Sequence, residues 1–409
     1  MNSKKSCLIL VGFLLFFGNR TYAQDNNESK TKFTEFLSKS YYSINFGAIF
    51  YPFSNDNLID GFKTETFSKN RFSGRMLLGH KITDDLSAQF GVIRPASWFK
   101  YDNVNNIGYD RSVWINAWSL SLKKDFNLTN KISVYAEAGI ANVTRIGFSI
   151  NDQVIYEDAH FASLLYGFGL QYWLSEKWRL SANGTFMPKS DKYNQPSISQ
   201  ASLAFEYHLQ QVDDSTAEQY AKNDYFFPKN IFQFSYGTGA IGFGFNQFFG
   251  MSLPVGNFES FGIPVFWVGE VKATHAASLT YQRLIYRSEK IFSLDWGVSA
   301  TYFQSRGKTD VFAFSIFPVL RFYLLRKPKF DFYTNYSIIG PAYISKSDID
   351  GFKSGPNITY QDTMGFGVFF GKKRKYNFEL RIMHYSNGNI FTRNAGVAIP
   401  LQFTFGKTF

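Results

Sequence analysis

Residues 376–409 read YNFELRIMHYSNGNIFTRNAGVAIPLQFTFGKTF, and their alternation decides the fold. Tyr376, Phe378, Leu380 and Ile382 fall on one face of an extended chain, and Asn377, Glu379 and Arg381 on the other. A period of two over such a run marks a β-strand with one apolar and one polar face. Counting on, His384 and Ser386 land on the apolar face, where an imidazole and a hydroxyl need a reason. The closing segment repeats the pattern, with Leu401, Phe403 and Phe405 opposite Gln402, Thr404 and Gly406. The two runs are expected to pair as the last hairpin of an antiparallel barrel.

The rest of the chain agrees with a membrane barrel. It holds 47 Phe, 25 Tyr and 7 Trp in 409 residues, heavily aromatic for a soluble protein. No window after residue 24 approaches the ~20 continuous apolar residues that a transmembrane helix needs. Apolar residues come alternately instead, the pattern of strands that face lipid on one side. A secreted β-sandwich explains the alternation but not the aromatic excess. At the N-terminus, Lys4 and Lys5 precede an apolar run over 7–17, and TYAQ offers cleavage after Ala23; residues 1–23 read as a secretory signal. The only cysteine, Cys7, lies within it, so no disulfide is expected in the exported chain. Removal of Lys4, Lys5 and Arg20 lowers the formal charge from +11 to +8. For an exported protein that balance suits anionic lipid or lipopolysaccharide phosphate rather than nucleic acid, or else basic turns kept in water.

After a polar lead-in over 24–40, strand-like segments fall at about 41–52, 70–82, 86–97, 113–126, 132–148, 160–174, 178–187 and 199–209. The connections between them alternate long and short, as the outer loops and periplasmic turns of outer-membrane barrels do. A polar stretch over 213–230 reads as a periplasmic linker. Eight more strands follow, at about 231–248, 264–286, 291–305, 310–325, 330–345, 358–370, 376–386 and 396–409, with basic short turns at 287–290, 326–329 and 371–375. The expected fold is all-β, two tandem eight-stranded transmembrane barrels over 41–212 and 231–409. One sixteen-stranded barrel is the alternative, and it would enclose a water channel. Phe409 follows Leu401, Phe403 and Phe405 in a run spaced by two that Lys407 breaks, the kind of terminal strand that outer-membrane assembly machinery reads.

If 371–375 is a periplasmic turn, strand 376–386 runs outward and carries His384 and Ser386 to the outer rim, facing lipid. There the lipid is lipid A, whose acyl esters lie at the headgroup boundary. A serine hydroxyl becomes a nucleophile when a base takes its proton, and histidine is the usual base. Residues i and i+2 of a strand project the same way, ~6.6 Å apart along the backbone, so the two side chains can lean together. The Asn387 amide could donate to the oxyanion. Arg393 in the same loop is placed to hold a lipid A phosphate, or is simply a solvated arginine. His80, His160, His208 and His275 have no partner at metal-ligand spacing and read as structural. The glycine-rich GTGAIGFG over 237–244 has no following helix and is not a phosphate loop. Neither a cofactor nor a metal is expected.

The stretch HYSNGNIFTRNAGV resembles the signature of the lipid A 3-O-deacylase family, the acyloxyacyl hydrolase-like outer-membrane enzymes. That pattern is His-x-Ser-Asn-Gly, a short spacer, then Asn-x-Gly and an aliphatic residue. His384, Ser386, Asn387, Gly388, Asn394, Gly396 and Val397 stand at its positions. The resemblance implies an eight-stranded barrel and serine-esterase removal of the 3-position acyl chain of lipid A. His384 would be the base, Ser386 the nucleophile, and Asn387 an oxyanion or positioning group. One position departs: where the family carries a glutamate or asparagine that orients the histidine, this chain has Ala398, and no Asp or Glu follows Glu379. The orienting group is then missing, or supplied by Asn389, Asn394 or a distant carboxylate. Loss of an orienting acid can cost about 10⁴-fold in rate while leaving residual catalysis. The alternative function is a non-catalytic barrel: a porin if sixteen strands close together, otherwise a structural or adhesion protein.

Overall fold

The computed structural model describes residues 35–68, 71–95, 99–108, 110–210, 213–222, 225–246, 253–255, 258–261 and 269–409. The expected signal 1–23, residues 24–34 of the lead-in, and positions 70, 96, 97, 247, 248 and 264–268 of expected strands lie outside the described residues.

The first half forms β1 (Ser40–Phe50), β2 (Phe72–Lys81), β3 (Leu86–Pro95), β4 (Arg111–Asn127), β5 (Ile132–Ile146), β6 (Ala159–Trp173), β7 (Trp178–Met187) and β8 (Ile198–His208). β1 pairs with both β2 and β8, Ile44 lying beside Met76 and Phe205, and β4 pairs with β5, so the ring closes. The second half forms β9 (Asn230–Thr238), β10 (Val271–Arg287), β11 (Phe292–Ser305), β12 (Asp310–Arg326), β13 (Phe330–Ile344), β14 (Ile358–Phe370), β15 (Tyr376–Ser386) and β16 (Val397–Thr408). It closes through β9, where Phe234 faces Phe405 on one side and Leu279 on the other. The protein is therefore two tandem eight-stranded antiparallel barrels. The sixteen-stranded alternative fails because β8 returns to β1 instead of adding to β9.

Two segments add to the expectation or depart from it. The polar stretch after β8, read above only as a linker, carries a helix, Asp214–Lys222. Asp213 caps it, accepting from the Thr216 amide at 2.8 Å and from the Ser215 hydroxyl at 2.6 Å, and these bonds hold its carboxyl well below the usual carboxylate range. β9 stops at Thr238, ten residues short of the expected end, because the glycine-rich run turns through a 3₁₀ segment Gly239–Ile241 with Gly242 at φ +73°. Beyond that stop β10 meets β16 directly, Val271 and Lys272 pairing in parallel with Val397 and Ala398.

The alternation explains both surfaces. Outward side chains such as Phe168 and Leu203 are 70% and 71% exposed, an apolar band suited to lipid. Inward side chains are polar towards the end with short turns and apolar towards the end with long loops. In the first barrel Arg75 holds Glu137 at 2.5 Å, and Arg179 pairs with Glu206 and Asp125. Above them Tyr51, Phe53, Phe99, Tyr101 and Tyr156 pack together. In the second barrel Arg321 pairs with Asp295, while Tyr333 and Asn335 donate to Glu379. Phe303, Val311, Ile344, Met383 and Tyr385 fill the upper half. These interiors are packed with side chains, as barrels of eight strands are.

Candidate active site

β15 places the two residues by parity. Asn377, Glu379, Arg381, Met383 and Tyr385 are buried, and Met383 and Tyr385 belong to the apolar cluster inside the barrel. His384 and Ser386 therefore project from the outer wall, at the end of the strand away from the short turn Lys372–Arg374. His384 has a strand neighbour on each side. On β14 it faces Asp362, and on β16 it faces Ala398. Ser386 faces Tyr360. His384 Nδ1 lies 3.8 Å from Asp362 Oδ2, and neither ring nitrogen has a hydrogen-bond partner. The imidazole and the Ser386 hydroxyl share a face without a hydrogen bond between them, a spacing that catalytic pairs often close only with substrate in place.

The loop after Ser386 is held by its asparagines. The Asn387 amide N–H donates to Asn394 Oδ1 at 2.8 Å, and Asn394 Nδ2 donates to Asn389 Oδ1 at 2.6 Å. Asn387 Nδ2 donates to the Ser354 and Arg393 carbonyls at 2.9 and 2.6 Å, tying this loop to the one between β13 and β14. Only glycine fits beside that clamp at position 355, where φ is +88° and a Cβ would stand 2.7 Å from Asn387 Nδ2. Both side-chain donors of Asn387 are thus engaged, which suits the positioning role better than the oxyanion role. Asn394 bonds to Asn389 and to Asn387, and neither Asn389 nor Asn394 bonds to His384. The Arg393 side chain is exposed. Among the described residues no cluster of His, Cys, Asp or Glu is arranged to hold a metal ion.

The outward surface at this rim is open to lipid only in part, because the first barrel covers the rest. Trp118 of β4 stacks on Tyr360 with ring centroids 6.0 Å apart and planes 10° from parallel, and its Nε1 donates to the Gly388 carbonyl at 3.3 Å. Asn142 Nδ2 and Thr144 Oγ1, both on β5, donate to the Ile390 carbonyl at 2.9 and 2.7 Å. His160 of β6 accompanies them, 3.0 Å from Thr144 Oγ1 and with its ring 5.2 Å from that of Phe391. These polar side chains sit on an outer wall where a lone barrel would show lipid-facing apolar residues. Replacing Asn142 by Leu and Thr144 by Val would leave the Ile390 carbonyl without donors, at a cost of about 1–3 kcal/mol. Limited proteolysis should then cut the 387–396 loop sooner than in the parent protein; an unchanged cleavage rate would mean that the contact contributes nothing.

Reading along the chain found His384, Ser386 and their asparagines but missed Asp362 and the docking face. A signal existed for Asp362: at period two it shares the outward face of β14 with Tyr360, Met364, Phe366 and Val368, where a carboxylate is out of place. Asn142 and Thr144 interrupt the outward face of β5 in the same way.

Comparison with known proteins finds a family-model match within each half. Residues 271–399 match the model of the family described as lipid A 3-O-deacylase (PagL), and residues 41–213 match the OmpA-like transmembrane domain. Both halves are thus of the outer-membrane barrel class, with the deacylase resemblance confined to the second. Among solved structures, the outer membrane enzyme PagL is 14% identical, covering 44% of this chain and 99% of its own, with a TM-score of 0.31. The N-terminal β-barrel domain of Pseudomonas aeruginosa OprF is 16% identical, covering 41% of this chain and 96% of its own, with a TM-score of 0.28. Ail, the attachment invasion locus protein of Yersinia pestis, in complex with a heparin analogue, is 17% identical, covering 41% and 98%, with a TM-score of 0.28. No curated protein matches the chain significantly.

Proposed function

We propose that the second barrel is an outer-membrane serine esterase that removes the acyl chain at the 3-O position of lipid A. The observation that carries this reading is the His384–Ser386 pair on the outer wall at the loop-end rim, within the segment matched by the deacylase family. A lipid A ester at the outer-leaflet headgroup boundary would meet the pair from the side of the barrel.

In the reaction, His384 Nε2 takes the Ser386 hydroxyl proton as Oγ attacks the ester carbonyl. The tetrahedral intermediate collapses with cleavage of the bond to the 3-hydroxyl oxygen, which leaves with the proton returned by His384. Water, deprotonated by the same imidazole, then releases the fatty acid from Ser386. Asn387 positions the loop through its bonds to Ser354 and Arg393. Arg393, exposed on that loop, is available to a lipid A phosphate. The reading includes export by a signal cleaved after Ala23 and membrane insertion through the terminal strand by the outer-membrane assembly machinery.

The test is mass spectrometry of lipid A from Gram-negative cells with and without the protein, with Ser386→Ala as control. Loss of one 3-O-linked acyl chain only with the parent sequence is the expected result. Unchanged acylation would leave a structural or adhesion barrel as the better account.

A further inference from the structure

We propose that Asp362 orients His384 from the β14 side, supplying across one strand boundary the carboxylate that position 398 lacks across the other. The inference deepens the esterase reading and rests on it for its catalytic meaning.

The first support is register. A side chain on the outer face of β15 has two in-register neighbours, and for His384 these are a carboxylate and a methyl group. Of the two, only Asp362 can accept a proton-bearing ring nitrogen. The second support is the setting of Asp362 itself. It is 8% exposed on an outward face otherwise lined by Tyr360, Met364 and Phe366, and a buried carboxylate in such surroundings persists only with partners.

One partner is built by the backbone of the next strand. The β13–β14 ladder shifts register between Ser337 and Gly340, and inside that irregularity Ile339 adopts φ +55°. A β-branched residue rarely takes that conformation, and such strain persists where the surrounding structure demands it. Its result here is that the Ile339 N–H donates to Asp362 Oδ1 at 2.8 Å. With one oxygen so fixed, Oδ2 is left towards His384 Nδ1 at 3.8 Å.

The third support comes from the imidazole. His384 is 2% exposed and both nitrogens lack a hydrogen-bond partner, although buried polar atoms are nearly always paired. A small rotation of the ring towards Asp362 brings Nδ1–H into a hydrogen bond with Oδ2. That bond selects the tautomer with a bare Nε2, the nitrogen a general base needs free. Asp362 is thus a positioning residue, acting through His384 without touching the ester.

The test uses the full chain in detergent micelles, with steady-state hydrolysis of lipid A and ¹⁵N NMR of the histidine rings, the His384 signal being assigned by its loss in His384→Ala. Asp362→Asn should lower kcat about 10³- to 10⁴-fold with little change in KM. Asp362→Asn combined with Ala398→Glu should regain at least a tenth of parental kcat, since the acid then approaches the same ring from its other neighbour. The parent should show the Nδ1-protonated tautomer, lost in Asp362→Asn and regained in the double variant. Full kcat in Asp362→Asn would overturn the proposal, as would a loss that Ala398→Glu does not repair in a variant that still shows the heat-modifiable gel mobility of a folded barrel. If the parent hydrolyses nothing, the esterase reading fails, and the tautomer comparison still decides whether Asp362 orients the ring.

Discussion

Ser386→Ala is expected to abolish lipid A deacylation, with His384→Ala equally severe and the double variant no worse than either. A hydroxyl and its base act as one unit. Without the imidazole, the Ser386 proton has no base beside it: the in-register neighbour of Ser386 on β14 is Tyr360, and Asp362 is engaged by the Ile339 N–H. Without the hydroxyl, the imidazole can activate only water that must reach a site with His384 almost fully covered. In serine hydrolases the loss of either the serine or the histidine costs on the order of 10⁶-fold, and further removals add little. Initial rates on purified lipid A, normalised to folded protein by gel mobility, would measure the three variants. Additive losses in the double variant would mean that the residues contribute separately, and the paired mechanism would have to be abandoned. Because both side chains point away from the interior clusters, neither substitution should disturb closure of the barrel.

How much could be read along the chain follows from which interactions are local. Strand faces are local: Tyr376, Phe378 and Leu380 against Asn377, Glu379 and Arg381 fix one strand without reference to any other. The alternation of long and short connections then orders the strands. The same logic brings His384 and Ser386 together, since they are two positions apart. It fails at β9, where Gly239 and Gly242 end a strand that apolar alternation alone would continue. It also fails wherever register decides. Asp362 lies 22 positions before His384, and their adjacency depends on the β14–β15 turn together with the Ser337–Gly340 irregularity that fixes the carboxylate. The absence of an acid after Glu379 therefore pointed to a weakened site, although the ladder supplies a carboxylate from upstream. Contacts between the barrels were the least legible. Trp118 reads as one more outward aromatic until its stack on Tyr360 is seen.

That contact leads to the second large effect, at Gly388. The residue has φ +63°, and a Cβ there would lie 2.9 Å from the Trp118 ring. Gly388→Leu should therefore act twice, straining a left-handed backbone and pushing the loop away from the first barrel. Asn387 and the Asn389–Asn394 bond share that loop, and Ser386 immediately precedes it. A displacement of about 1 Å at a reacting group can cost on the order of 10²-fold in rate, and a loss of that size in kcat is expected. Trp118→Ala removes the obstacle but not the strain, so it should recover part of the loss when combined with Gly388→Leu. A double-variant cycle on kcat reads that recovery directly, because contacting residues couple while distant ones add. If the two substitutions proved strictly additive, the barrels would not be in contact at this point during turnover. A coupled result gives the first barrel a role that its own sequence does not display: it forms one wall beside the nucleophile, with Asn142 and Thr144 of β5 holding the adjoining loop at the Ile390 carbonyl.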